Sequence, residues 1–429
     1  MAAWSEHVIW WQLHPISFVR DGGLPRIEGW LDYLIELGCN GLAPGPVFAS
    51  ESHGYDTIDH FRIDPRLGTE ADFDHLVQSC HDRGIRVLLD GVLNHVGRSF
   101  PAFQDVLANG EASRYAPWFR LDFTADGPDG FGYADFEGHG SLVALNHAEP
   151  AVRDYAVRVL SHWLDRGADG WRLDAAYAVP PAFWRAVLGQ VRQDHPAWFV
   201  AEVIHGDYAA LVRDGGPDSV TQYELWKAIW SSLNDGNFFE LAWALDRHNG
   251  FLAEFLPLTF VGNHDVTRLA SRLTDPRHLA HAVLVLCTVG GVPSIYAGDE
   301  LAFKGMKYER ADGDAEIRPA FPAGPDELAT DGWPVYRLHQ DLIGLRRRHS
   351  WLARSVTEVR HLANRALAYQ AVDPGGGPGL TVLLNTSDAA VDFPLPGPPG
   401  KRLLASSPDG QGQPYRVEPH GWAVMEPAS

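Results

Sequence analysis

Four short apolar runs in this chain end in carboxylates and imidazoles. They are Asp90-Gly-Val-Leu-Asn94-His95, Gly-Trp-Arg172-Leu-Asp174, Ala-Glu202-Val and Phe260-Val-Gly-Asn263-His264-Asp265. One acidic residue at such an end reads as a cap or a salt bridge. Four ends that gather like charges work against folding unless function demands them. Two carboxylates flanking a scissile bond are the equipment of glycoside hydrolysis: one attacks or activates water, the other protonates the leaving oxygen. Arg172 lies two residues before Asp174, on the same side of a strand, and its charge is expected to keep Asp174 ionised as a nucleophile. Glu202 follows Trp198-Phe-Val-Ala, so desolvation and nearby negative charge are expected to raise it, as a general acid needs. A catalytic metal is the rival reading. It is disfavoured because His95 and His264 stand singly on separate strands with no His-x-x-x-His pair.

The elements that must position these groups alternate along the chain from residue 8 to about 350. Extended apolar runs read as Val8–Phe18, Gly41–Phe48, Ile85–His95, Gly170–Ala175, Trp198–Ile204, Leu256–Asp265 and Val292–Tyr296, with an eighth around Ser219–Tyr223. Helical spacing falls between them at Ile27–Gly38, Glu70–Gly84, Ala151–Gly167, Pro181–His195 and His278–Gly290. Near-continuous apolar strands in strand-then-helix order predict a parallel sheet covered on both faces. Eight units over this length favour a closed (β/α)8 TIM barrel, whose active site lies at the C-terminal strand ends. Residues 96–149 are too long for an ordinary βα connection and read as a functional excursion after strand 3. Beyond Ser350 the strands turn short and alternating (Thr357–His361, Ala366–Val372, Leu380–Asn385, Trp422–Met425), divided by Pro374–Pro378 and Pro394–Gly400. This predicts a C-terminal antiparallel β-domain. The expected division is a barrel over 1–95 and 150–350, an inserted excursion over 96–149, and the β-domain over 351–429.

Bulk properties exclude several function classes. The formal charge of -20 opposes binding to nucleic acid or anionic lipid, so neither is an expected partner. No run approaches the ~18 apolar residues that span a bilayer, and the opening residues show no secretion leader. A cytoplasmic location is therefore expected. Cys39, Cys80 and Cys287 are far apart, follow no metal-ligand spacing and lie in apolar surroundings, which suits reduced, packed thiols. Among the 15 tryptophans, Trp30 and Trp163 sit at helical core spacing, and none is assigned to sugar stacking.

The four polar strand ends, in this order, resemble the signature regions of the α-amylase family of glycoside hydrolases. Trp11-Gln-Leu-His-Pro, His53-Gly-Tyr55-Asp56, Ile63-Asp-Pro-Arg-Leu-Gly68 and Gly291-Val-Pro-Ser-Ile-Tyr-Ala-Gly-Asp-Glu300 extend the resemblance over residues 8–350. The resemblance implies that Asp174 forms a covalent glycosyl-enzyme, that Glu202 is acid and then base, and that Asp265 holds sugar hydroxyls. It further implies that Arg172, His95 and His264 position the sugar and Tyr55 stacks on it. Asp90 and Asp56 would be structural, Asp90 by bracing Arg172. Asn94 is the residue through which a structural calcium would be held, and no other cofactor is implied. Transporter-associated relatives that bind without catalysis lack these carboxylates and carry a membrane span, so that reading is set aside.

Phe100-Pro-Ala-Phe-Gln-Asp-Val-Leu107, Ser113–Phe119, Leu142–Asn146, Ala182-Phe-Trp-Arg185 and Asp314-Ala-Glu-Ile-Arg318 are similar to the cyclomaltodextrinase, neopullulanase and maltogenic amylase group. That likeness implies small or cyclic maltodextrins as substrate, including mixed α-1,4 and α-1,6 rings of the cyclic maltosyl-maltose type. Asp314 and Arg318 would then clamp a second sugar. Two alternatives keep the same three carboxylates: an α-glucosidase, and a transglycosylase or isomerase of the trehalose synthase type. Relatives in this group dimerise through an N-terminal β-domain that is not part of this sequence, so the oligomeric state is left open. The sequence also departs from the group after Glu202, where Val203 and Ile204 replace an aromatic neighbour.

Overall fold

The computed structural model describes residues 3–127, 129–310, 312–396, 400–407 and 415–426. Eight parallel strands form one sheet: β1 (Trp10–Leu13), β2 (Gly41–Pro44), β3 (Arg86–Gly91), β4 (Gly170–Leu173), β5 (Trp198–Ala201), β6 (Ser219–Val220), β7 (Leu258–Phe260) and β8 (Val292–Tyr296). Their order in the sheet is β6-β5-β4-β3-β2-β1-β8-β7. A parallel bridge from Thr221 to Leu258 joins the two ends, and the Gln222 N–H donates to the Leu258 carbonyl at 2.9 Å. The sheet is thus a closed barrel with its strands in chain order.

Strand periodicity decides what fills it. Trp10, Leu88, Trp198, Val200, Leu258, Phe260 and Val292 form an inner cluster. Trp10 stacks on Trp198 with ring centroids 5.7 Å apart. Neighbouring residues Trp11, Leu89 and Phe199 face outward into the larger core beneath the helices. Gly41 makes the inner packing feasible, because a Cβ there would lie 2.4 Å from the Trp10 ring.

Tertiary packing shortens several expected elements. The run Val8–Phe18 is a strand only to Leu13, since Pro15 starts a short helix, Pro15–Val19. The helix expected over Ile27–Gly38 is two pieces, Gly23–Glu28 and Leu31–Leu37. The apolar stretch after β6 is also two helices, Tyr223–Asp235 and Phe238–Leu252. Gly236 separates them at φ 59°, and the Asn237 side chain accepts from the Phe239 N–H to start the second. By contrast, Glu70–Asp82 begins where its capping box predicts: the Thr69 hydroxyl and the Asp72 carboxylate accept from each other's backbone N–H.

The excursion folds into a three-stranded antiparallel sheet of His95–Gly97, His139–Ala144 and Asp135–Phe136, with a helix at Pro101–Asn109. The terminal sheet comprises β9 (Val356–Ala363), β10 (Ala366–Val372), β11 (Leu380–Asn385), β12 (Lys401–Ala405) and β13 (Trp422–Glu426). Its order is β9-β10-β11-β13-β12. β12 adds an edge strand that the sequence pattern did not suggest. Of the expected turn Pro394–Gly400, residues 397–399 lie outside the described residues. All three cysteines are free and buried. No described helix is long and apolar enough to cross a membrane.

Candidate active site

Parallel register brings the polar strand ends together. Arg172 pairs with Asp90 on β3 and Val200 on β5. Past the strands the ladder continues, with the Asp174 N–H on the Gly91 carbonyl at 3.1 Å and the Glu202 N–H on the Leu173 carbonyl at 2.9 Å. Arg172 is therefore buried among three carboxylates. Its Nη1 donates to both oxygens of Asp90 at 2.7 Å and to Asp174 Oδ1 at 3.2 Å. Its Nη2 lies 2.6 Å from Glu202 Oε1. Asp90 thus braces Arg172 directly. Ala175 follows Asp174 in a left-handed conformation, φ 45° and ψ 37°, which for a non-glycine costs about 1–3 kcal/mol. That geometry aims its N–H at Glu202 Oε2, 2.9 Å away.

The ionisation of Asp174 departs from the sequence expectation. Burial and the neighbouring Glu202 push its carboxyl well above the usual carboxylate range, with Arg172 opposing them. Burial, which spacing does not show, outweighs a guanidinium that Asp174 also shares with Asp90 and Glu202.

Asp265 behaves differently. Burial raises its carboxyl, yet His264 and then Arg318 and Lys307 hold it well below the usual range. His264 Nε2 lies 3.1 Å from Asp265 Oδ2, and Arg318 Nη2 donates to Asp265 Oδ1 at 2.8 Å. Arg318 Nη2 is also 2.7 Å from Asp314 Oδ2, so the two residues expected to clamp a sugar form an ion pair that runs on to Asp265. Tyr55 donates to Asp90 Oδ2 at 3.1 Å and meets His264 Nε2. Its ring lies parallel to that imidazole, 5.3 Å away. His95 is held neutral by burial, its value near 4. Its Nε2–H donates to the Tyr55 carbonyl at 3.0 Å, and Nδ1 accepts from Asn94 at 3.1 Å.

Tyr55, His95, Asp174, Glu202, Asp265, Asp314 and Arg318 line one cleft of about 530 Å³, while Arg172 and His264 lie outside the lining and contact it through Asp174, Glu202 and Asp265. Asp90, Asn94 and Asp56 lie beneath or behind it. Asp56 accepts from the Ser52 hydroxyl and its other oxygen, Oδ1, has no protein partner. The Asn94 side-chain N–H donates to His95, Asp129 is paired with Arg98, and Asp135 accepts from the Gly138 N–H.

Sequence reasoning missed part of the lining. Phe136 and Glu137 come from the excursion, Tyr177 from the turn after Asp174, and Trp226 from the helix after β6. The Tyr177 hydroxyl donates to Glu137 at 2.8 Å, joining excursion to barrel. Trp226 corrects the reading that no tryptophan belongs to the site; its helical spacing was indistinguishable from core. Ile204 lines the cleft 46% exposed, and these aromatics stand near it where the sequence offers none beside Glu202.

Comparison with known proteins agrees with this architecture. The α-amylase catalytic domain matches residues 12–333. A cyclomaltodextrinase of Geobacillus thermopakistaniensis is 30% identical over 92% of this chain and 71% of its own length. A 4-alpha-glucanotransferase of Thermotoga neapolitana is 28% identical over 90% of this chain and 97% of its own. Across the first three curated relatives, the chain spans 53% to 71% of their length. A solved structure of cyclic alpha-maltosyl-(1→6)-maltose hydrolase from Arthrobacter globiformis superposes with a TM-score of 0.84 at 27% identity, covering 99% of this chain and 100% of that one. With the catalytic-domain match spanning most of the barrel and the carboxylates gathered at its C-terminal rim, the chain belongs to the α-amylase family of glycoside hydrolases.

Proposed function

We propose that this protein hydrolyses α-1,4-glucosidic bonds in small or cyclic maltodextrins, including cyclic maltosyl-maltose rings, with retention of anomeric configuration. The observation that carries the reading is that Asp174 and Glu202 meet one guanidinium in a cleft where Asp265 is held ionised. In the first step an Asp174 oxygen attacks the anomeric carbon while Glu202 gives its proton to the glycosidic oxygen, and the carbon–oxygen bond breaks. In the second, Glu202 takes a proton from water, the water oxygen attacks the same carbon, and the Asp174 ester is released. Asp265 accepts from sugar hydroxyls, with Tyr55, His95, Arg172 and His264 around the same ring and the Asp314–Arg318 pair beyond it.

The substrate class rests on the sequence likeness and on the named activities of the cyclomaltodextrinase and cyclic maltosyl-maltose hydrolase relatives. A second reading, transfer rather than hydrolysis, is favoured by the glucanotransferase relative, almost all of which this chain spans. The chemistry is shared up to the covalent ester, and the acceptor decides the outcome. Incubation with maltotriose, cyclodextrins and cyclic maltosyl-maltose tests both: net release of reducing ends marks hydrolysis. Redistribution into longer chains at constant reducing ends marks transfer and overturns the first reading.

A further inference from the structure

On the far side of the β7 unit, three side chains converge that take no part in the cleft. Asp275 and His278 precede the helix Leu279–Thr288, and His420 lies in the turn before β13. One ligand atom from each lies within 4.8 Å of the others. His278 Nε2 and His420 Nδ1 are 3.0 Å apart, and Asp275 Oδ2 is 4.0 Å from the first and 3.8 Å from the second.

The far side of the His420 ring shows what its facing nitrogen carries. His420 Nε2 is 2.8 Å from Asp388 Oδ1. A carboxylate only accepts, so Nε2 bears the hydrogen and Nδ1 presents a lone pair. His278 Nε2 faces that lone pair 3.0 Å away, a pair of ring nitrogens that a cation can bridge. A carboxylate orienting a histidine from behind is the usual support of a metal-bound imidazole. Nitrogens bound at 2.0–2.1 Å to a tetrahedral ion lie roughly 3.3 Å apart, so the histidines need to move only slightly. Asp275 Oδ2 has to close in by less than an ångström while still accepting from Arg277. His420 is held in this pose by a left-handed backbone, φ 52°. Both side chains are largely buried, at 7% exposure each.

We propose that Asp275, His278 and His420 form a site for a zinc-class divalent cation that fastens the terminal β-sheet to the barrel. Two imidazoles and one carboxylate suit Zn²⁺ or Co²⁺ rather than the all-oxygen shells of Ca²⁺ or Mg²⁺. A water completes the fourth position. The role is structural, since ligands 145 residues apart in sequence are pinned across one interface.

The test uses tag-free, full-length protein stripped with EDTA and titrated with ZnCl₂ in a calorimeter. The site predicts uptake of one equivalent and a melting temperature that rises with zinc. His278→Gln and His420→Gln each abolish that uptake. Asp388→Asn, at a side chain 83% exposed, leaves the fold and turnover intact but weakens zinc by about tenfold or more. Cobalt(II) gives the visible absorption of a tetrahedral site in the wild type, lost in both histidine variants. No zinc uptake by the wild type, or equal uptake by the wild type, Asp388→Asn and His420→Gln, overturns the proposal and leaves the facing nitrogens sharing a proton.

Discussion

Around Arg172 one guanidinium serves three carboxylates, and that imbalance governs the residue-scale behaviour. Asp174 has a folded pKa raised above its unfolded value. Its favourable contribution to stability is therefore complete below the ordinary carboxylate range, about 4, and is lost as pH rises through the raised value. Asp174→Asn is accordingly expected to melt no lower than the wild type at pH 7, the difference shrinking toward acid pH, when followed by calorimetry. The same variant should lose at least about a thousandfold in kcat/KM. A second expectation concerns the acid limb of the kcat/KM profile, measured on a substrate with an activated leaving group. Glu202→Gln removes the charge that, after burial, most raises Asp174, so the limb should move to lower pH; a limb that stays in place contradicts the assignment. The chemistry of these residues was readable from type and spacing. Arg172's divided loyalty was not, because spacing shows which groups are near without showing how many compete.

At the scale of elements, the cleft depends on a loop held from below. Arg268, fully buried after β7, donates to the Ala297 and Ile317 carbonyls and to Asp299 Oδ1. It thereby fixes the segment that presents Asp314 and Arg318. Arg268→Ala leaves Asp299 buried and unpaired, and should destabilise the protein by about 3–5 kcal/mol in chemical denaturation. If Asp314 and Arg318 clamp a second sugar as proposed, it should also raise KM more than it lowers kcat. Seven of the eight strands stood out as apolar runs. β6 did not, because two residues carry no periodicity; pairing with β5, Ser219 opposite Val200 and Val220 opposite Ala201, makes it a strand. The excursion showed in the sequence as length and as group-like motifs, but Glu137 and Tyr177 find each other only once it folds back.

For the whole molecule, one apolar core runs from the barrel helices into the terminal sheet, where Leu367, Tyr369, Val382, Leu384 and Val424 join it. The Tyr369 hydroxyl meets Thr288 at 2.5 Å, and His281 reaches the Asn385 and Gly421 carbonyls. A core shared in this way predicts one cooperative calorimetric transition; two resolved transitions would show that the terminal sheet melts independently. Fold class was legible because strand-then-helix order admits few topologies. The interface was not, because its polar contacts pair residues about a hundred positions apart.

If Asp174 is the nucleophile, the covalent intermediate can be trapped on its side chain. Reaction with a fluorinated α-glucosyl fluoride, followed by peptide mass spectrometry, should find the sugar ester on Asp174 alone. A label on Glu202 or Asp265, or turnover without any ester and with inverted anomeric configuration, contradicts the account.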